Sequence, residues 1–305
     1  MKKRDFITIQ DWSSGELKKL LKTALAMKAD PSKYRRRLAG KALAMIFEKP
    51  SLRTRVTFDV GIHQLGGYSL CLTRADINLG KREAASDVAK NLERMVQGIM
   101  IRTFSHEIVK IMAAEACIPV INGLTDFSHP CQALADYLTI LEVKGNLKGI
   151  KIAYIGDGNN VAHSLIYGAV RFGSHLAVAS PEGYEPDPVV VKWARKNANA
   201  AGCKLEILRD PLKAANGADV IYTDVWASMG LESEADMRKE AFRFYQVNNA
   251  VVKRAKPDFV FMHCLPAHRG EEVTDSVIDS PHSIVFQQAE NRLHAQKAIL
   301  LTLMG

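Results

Sequence analysis

Between residues 51 and 55 the chain sets two hydroxyls and two guanidiniums, Ser51, Arg53, Thr54 and Arg55, around one apolar residue, Leu52. Such a group suits an anion with several oxygens, and a phosphate is the obvious occupant. The flanking residues strengthen the case. Ala42 to Phe47 is an apolar run with the length of a buried strand. Pro50 and Ser51 then open a helix, with Ser51 as N-cap. Leu52, Val56 and Val60 follow at i, i+4 and i+8, with Leu65 near the end and Gly66-Gly67 as the stop. This spacing makes Leu52 part of the helix's core stripe. N–H groups of the first turn and the positive dipole end favour the same anion. An ordinary capped helix with solvated arginines is the competing account of this stretch taken alone.

Other polar residues fall at the ends of apolar runs. Arg102 closes Gly98–Arg102, while His129 and Gln132 flank Pro130-Cys131 after the run 119–122. Asn159 and Asn160 follow Gly156-Asp157-Gly158. Asp224 ends the run 218–223, with Ser228 and Met229 in the polar loop beyond it, and Cys264 follows the run 259–263. In open parallel sheets, ligands lie beyond the carboxyl ends of the strands. Six such strand ends in order, half of them cations or hydrogen-bond donors, point to a cleft between two domains that grips an anion on one side.

The elements that must carry these groups alternate. Helices are expected over 11–29, 83–96, 106–116 and 130–143, the last opened by Pro130, and residues 73–82 read as an exposed loop. Tyr68 to Leu72 is a further strand. The second half gives strands at 151–155, 175–179 and 205–208, besides the two that end at Asp224 and Cys264. Its helices cover 160–172, 188–200, 235–244 and 287–303. Repeated strand–helix alternation predicts an α/β chain of two doubly wound parallel-sheet domains. Their expected bounds are 1–145, joined by the helix 287–305, and 146–286.

Several functions are disfavoured. The chain has 305 residues, 47% hydrophobic and 24% charged, the profile of a globular protein. No apolar run approaches a membrane span, and the basic start lacks a signal peptide's apolar region, so a cytoplasmic location is expected. The net charge of +8 is spread out; its densest cluster is Arg35-Arg36-Arg37, and no nucleic-acid-binding motif accompanies it. Five scattered cysteines form no C-x-x-C pair; Cys71, Cys117 and Cys203 read as core. His263 and His268 flank Cys264 but lack a third ligand at metal spacing, so no metal is expected. Gly156-Asp157-Gly158 with Glu182 resembles half of a dinucleotide fingerprint, yet Val161 stands where a third glycine belongs. A hydrolase using Cys264 and His129 is the remaining catalytic rival.

Four motifs then identify a family. Phe47-Glu48-Lys49-Pro50-Ser51-Leu52-Arg53-Thr54-Arg55 resembles the Ser-Thr-Arg-Thr-Arg signature of the carbamoyltransferases, and His129-Pro130-Cys131-Gln132 matches their second signature. His263-Cys264-Leu265-Pro266-Ala267-His268-Arg269-Gly270 and Asp224-Val225-Trp226-Ala227-Ser228-Met229-Gly230 resemble the ornithine branch. The resemblance implies transfer of a carbamoyl group from carbamoyl phosphate to the δ-amine of ornithine, without metal or organic cofactor. Putrescine and N-acetylornithine are the alternative acceptors. Carbamoyl phosphate would be held by Ser51, Leu52, Arg53, Thr54, Arg55, Asn78, Arg102, His129, Gln132, Cys264, Leu265 and Arg292. Ornithine would meet Asn160, Asp224, Ser228 and Met229. Catalysis would fall to Arg102, His129, Asp224 and Cys264. A cis Leu265-Pro266 bond and a homotrimer, or a multiple of trimers, are also implied. Leu52 departs from the signature's threonine, and Asn78 from a frequent glutamine. A non-catalytic binding protein on the same fold is the alternative of a different class.

Overall fold

The computed structural model describes residues 3–227, 230 and 232–305. The chain forms two compact units. One runs to Leu138 and takes in Glu290–Gly305; the other is Thr139–Ala289.

The first unit is built on four parallel strands: β1 (Ala42–Phe47), β2 (Tyr68–Thr73), β3 (Gly98–Arg102) and β4 (Val120–Leu124). Their order is β2-β1-β3-β4, so the winding reverses between β1 and β3. Both of these strands are buried along their whole length, as central strands covered on two faces should be. Ile46, Ile99, Ile101, Val109, Met112 and Val120 are among the residues of the core against them.

The second unit has five parallel strands: β5 (Lys151–Ile155), β6 (His175–Ala179), β7 (Leu205–Leu208), β8 (Val220–Thr223) and β9 (Val260–His263). The order β7-β6-β5-β8-β9 puts its reversal between β5 and β8. The doubly wound α/β class expected from the alternation is therefore the observed one. Among the described residues no helix is long and apolar enough to cross a membrane.

Local differences have local causes. The expected helix 11–29 is Ser14–Ala29, because Ser13 and Glu16 make a capping box that sets its start. Thr73 and Asp76 make another, so the expected loop 73–82 contains the short helix Arg74–Ile77, ended by Asn78 in the left-handed region at φ 47°. The expected helix 83–96 is shorter, Ala85–Leu92, and the last helix longer, Val285–Met304. Cys203 is buried, but Cys71 is half-buried and Cys117 exposed, which corrects their reading as core.

The largest correction concerns the helix Leu52–Gln64. Leu52, Val56 and Val60 are 74%, 48% and 39% exposed, so this stripe does not face the core. Thr54, Thr57, Phe58, Gly61 and Ile62 are buried instead. A Cβ on Gly61 would lie 3.3 Å from Lys297 Cγ and 3.5 Å from Leu293 Cδ1, so the small residues let this helix pack closely on Val285–Met304.

Gly158 marks a tighter approach. A Cβ there would lie 2.2 Å from the Pro186 nitrogen and 2.3 Å from the Glu185 carbonyl carbon, both backbone atoms. Gly158→Ala should therefore cost about 1–3 kcal/mol, as overpacking does. A fall of several degrees in the thermal midpoint would register it, and an unchanged midpoint would show that the turn can yield.

Candidate active site

In the first unit, the carboxyl ends of β1 and β3 hold a network of buried polar groups. Ser51 caps Leu52–Gln64, its Oγ accepting the Thr54 N–H at 3.2 Å. That places Thr54 in the first turn with its hydroxyl turned inward. Arg292, on Val285–Met304, donates from Nη2 to Thr54 Oγ1 at 3.1 Å and from Nη1 to Gln132 Oε1 at 2.5 Å. Gln132 in turn donates to Asp136 Oδ1 at 2.8 Å. Thr54, Gln132, Asp136 and Arg292 are all buried.

Arg102 is the last residue of β3 and is buried. The β3–β4 register shifts between Ile101 and Arg102, an irregularity of the kind that re-aims a side chain at a sheet's functional edge. His129 immediately precedes the helix Pro130–Lys144, and its carbonyl accepts the Gln132 and Ala133 N–H groups. Its loop is tied down by Thr125 and Asn122, which bond Ser128. Burial, then the charges of Arg292, Arg102 and Arg53, hold the His129 pKa well below the ordinary histidine value. The ring is thus neutral at neutral pH and offers an N–H donor without a charge.

The ends of the neighbouring loops are laced together. Glu48 N–H donates to the Arg102 carbonyl at 2.9 Å, and the Glu48 carboxylate accepts from the Thr103 hydroxyl. Lys49 pairs with Asp126 and lies over the Phe104 ring, 4.1 Å from its centroid.

Leu52, Arg55 and Asn78 stand apart. Leu52 and Arg55 are exposed on the helix, and no hydrogen bond among the described residues joins the side chains of Arg55 or Asn78 to this network.

The second unit gathers a different set at β5, β8 and β9. Asp224, just past β8, is buried and accepts at both oxygens. Cys264 Sγ donates to Oδ1 at 2.8 Å, as does Val225 N–H at 2.9 Å, and Asn159 Nδ2 donates to Oδ2 at 2.8 Å. Asn159 also caps the helix Asn160–Phe172, accepting the Val161 and Ala162 N–H groups. Its role in holding Asp224 was not expected. The signal was there in its position, since an N-cap asparagine spends its oxygen on the helix and has its amide left to give. Asn160 begins the helix itself, half-buried. Leu265 has a positive φ of 58° and a cis bond to Pro266. Ser228 and Met229 lie outside the described residues.

Gly158 N–H donates to the Tyr184 carbonyl, and Glu182 pairs with Arg209 at 2.6 Å. The two features that suggested a dinucleotide are thus engaged by the chain itself. Arg238 binds Asp157 and the Trp226 carbonyl, both at 2.9 Å, fastening the loop after Asp224 to the turn after β5. Burial raises the Asp157 pKa to about 6 against the pull of Arg238.

Potential metal ligand atoms of Asp224, His263 and Cys264 lie within 4.8 Å of one another, as do those of His268, Glu271 and Glu272. In the first group both His263 nitrogens already bond the protein, to Leu265 N–H and to Glu272. Ligation would have to break one of these bonds.

Comparison with known proteins gives matches along most of the chain. Residues 4–142 match the family described as aspartate/ornithine carbamoyltransferase, carbamoyl-P binding domain, and residues 148–303 match its Asp/Orn binding domain. The chain is 59% identical to an ornithine carbamoyltransferase of Thermococcus kodakarensis, over 99% of this chain and 96% of that one. The solved ornithine carbamoyltransferase of Pyrococcus furiosus is 56% identical, with a TM-score of 0.96 over 99% of this chain and 97% of that one. The anabolic enzyme of Campylobacter jejuni superposes with a TM-score of 0.94 at 36% identity, covering 98% of both chains.

His129 supplies a check on the electrostatics. Unfolded histidine titrates near pH 6.5 (about that value in model peptides). Because the folded pKa is lower, the unfolded chain takes up the proton first, so this residue makes stability fall as pH drops below that point. Ring resonances of His129 should stay at neutral-imidazole positions through this range; titration at the ordinary value would contradict the buried cationic setting.

Proposed function

The chain belongs to the aspartate/ornithine carbamoyltransferase family, and from that premise we propose how its residues share the reaction. It transfers the carbamoyl group of carbamoyl phosphate to the δ-amine of L-ornithine, giving L-citrulline and phosphate, a step of arginine biosynthesis. The observation that carries the assignment of roles is the joining of Thr54, Arg292, Gln132 and Asp136 at the switch point of the first sheet.

Ser51, Arg53 and Arg55, with the helix N-terminus, take the phosphate. Thr54, Arg102 and neutral His129 face the carbonyl oxygen, where negative charge grows as the amine adds. Donors already in place need no reorganisation at that moment. The Cys264-Leu265 backbone receives the carbamoyl amide. Asp224, Cys264 and Asn160, with Ser228 and Met229, hold ornithine. The attacking amine must be neutral although its free pKa is roughly 10.4, and the departing phosphate can accept its proton. Asp224 together with the Ser228-Met229-Gly230 sequence favours free ornithine over putrescine or N-acetylornithine.

The protein acts as a cytoplasmic homotrimer or a multiple of one. Supporting this, Leu52, Val56 and Val60 form an exposed apolar stripe, and Tyr68 and Leu70 on the edge strand β2 are exposed too. Scattered single apolar residues need no partner, whereas several on two elements in contact are what an interface between copies would use. Sedimentation should give a trimer or larger for the native chain and smaller species for Val56→Asp with Val60→Asp. A native monomer would refute the assembly.

Arg102→Ala should lower turnover about a hundredfold or more while circular dichroism stays native, as removal of an oxyanion donor does. Near-normal turnover would reject its role. Citrulline formation should far exceed carbamoylation of putrescine or N-acetylornithine; equal rates would move the specificity elsewhere.

A further inference from the structure

His263, the last residue of β9, is buried together with Glu272 and Gln288, and its backbone N–H and both ring nitrogens bond three different partners. The backbone N–H donates to Gln288 Oε1 at 2.9 Å, and Gln288 donates onward to the Tyr222 hydroxyl at 3.1 Å. Nδ1 lies 2.8 Å from the Leu265 N–H. That N–H can only donate, so Nδ1 must accept, and the ring's own N–H sits on Nε2. Nε2 faces Glu272 Oε1 at 3.0 Å, and the same oxygen accepts the His268 N–H at 2.6 Å. One tautomer alone satisfies both sides of the ring.

The Leu265 N–H held this way belongs to a residue at φ 58°, a region that non-glycine residues occupy only under constraint. We propose that His263 is a positioning residue, whose single tautomer pins the Leu265 backbone in its left-handed conformation and thereby aims the Cys264-Leu265 peptide at the carbamoyl group. Glu272 fixes the tautomer and Gln288 fixes the height of the strand end. This rests on the assignment of Leu265 to the carbamoyl amide.

Two replacements separate positioning from bulk stability. His263→Asn keeps an acceptor near Nδ1 and drops the bond to Glu272. His263→Gln keeps a donor near Nε2 and drops the acceptor for Leu265. Loss of that acceptor should raise KM for carbamoyl phosphate about tenfold in H263Q, the scale of one hydrogen bond. KM for ornithine should change less, and H263N should raise KM for carbamoyl phosphate less than H263Q does. Equal effects of the two replacements, or a lower thermal midpoint with both KM values intact, would overturn the proposal. Should H263Q fail to fold, Glu272→Ala, which leaves the ring in place but unanchored, should shift the carbamoyl phosphate KM in the same direction; a larger effect on ornithine would count against the idea. The crystal structure of H263Q tests the backbone directly. A Leu265 φ that leaves the positive region supports pinning by His263, and one that stays refutes it whatever the substrate. Failure of the wild-type protein to form citrulline would instead overturn the functional assignment.

Discussion

The polar architecture of the first unit depends on where the Arg292 guanidinium goes. It comes from the helix that closes the chain and is fixed between Thr54 and Gln132. A buried guanidinium is costly unless it is bonded and its charge offset. Here the bonded chain runs through Gln132 to a carboxylate, Asp136, while Arg53 and Arg102 add further positive charge. The consequence is visible at His129, whose protonation burial and those three arginines oppose. A local field of this sign favours a phosphate dianion and a carbonyl oxygen gaining charge. It equally disfavours a cationic amine.

Topology decides where these groups can be. Each sheet reverses its winding once, between β1 and β3 in one and between β5 and β8 in the other. At such a point the connections leave in opposite directions and the strand ends are open to a ligand. Ser51–Arg55 and Arg102 follow β1 and β3; Asn159 and Asp224 follow β5 and β8. The helix caps do double work there. Ser51 turns Thr54 inward, and Asn159 starts a helix with its oxygen while holding Asp224 with its nitrogen.

Much of this was legible in the residues, and the misses share a cause. Strands β1, β3 and β5 announced themselves as short apolar runs, and Ser51 announced itself as a cap. The Leu52, Val56, Val60 stripe was equally periodic, yet it is exposed and the helix buries Thr54, Thr57 and Gly61. Periodicity reports that a face is apolar and says nothing of what covers it, whether the same chain or another. Close packing through Gly61 could not be read at all without knowing that Lys297 lies opposite. Glu272 and Gln288, and the bond from Asn159 to Asp224, were missed for a related reason. Their work is to hold another side chain or a strand end 9 to 65 residues away, and spacing carries no trace of that. Loop 73–82 was misjudged because a four-residue helix depends on one capping box, Thr73 with Asp76, which is too short a pattern to stand out.

The geometry at Asp224 bears on which chemistry Cys264 performs. A nucleophilic cysteine is found beside cations or a helix N-terminus, where the thiolate is favoured. Cys264 instead donates from Sγ to the Asp224 carboxylate at 2.8 Å. A carboxylate has roughly four acceptor positions. Cys264, Val225 and Asn159 use three of those on Asp224. On the proposed assignment a further position takes one N–H of the incoming amine, and a single such bond leaves the amine's lone pair free for the carbamoyl carbon. On that assignment thiol and carboxylate act as an orienting pair. In the family to which the chain belongs the substrate's nitrogen attacks, which leaves the cysteine hydrolase reading without support.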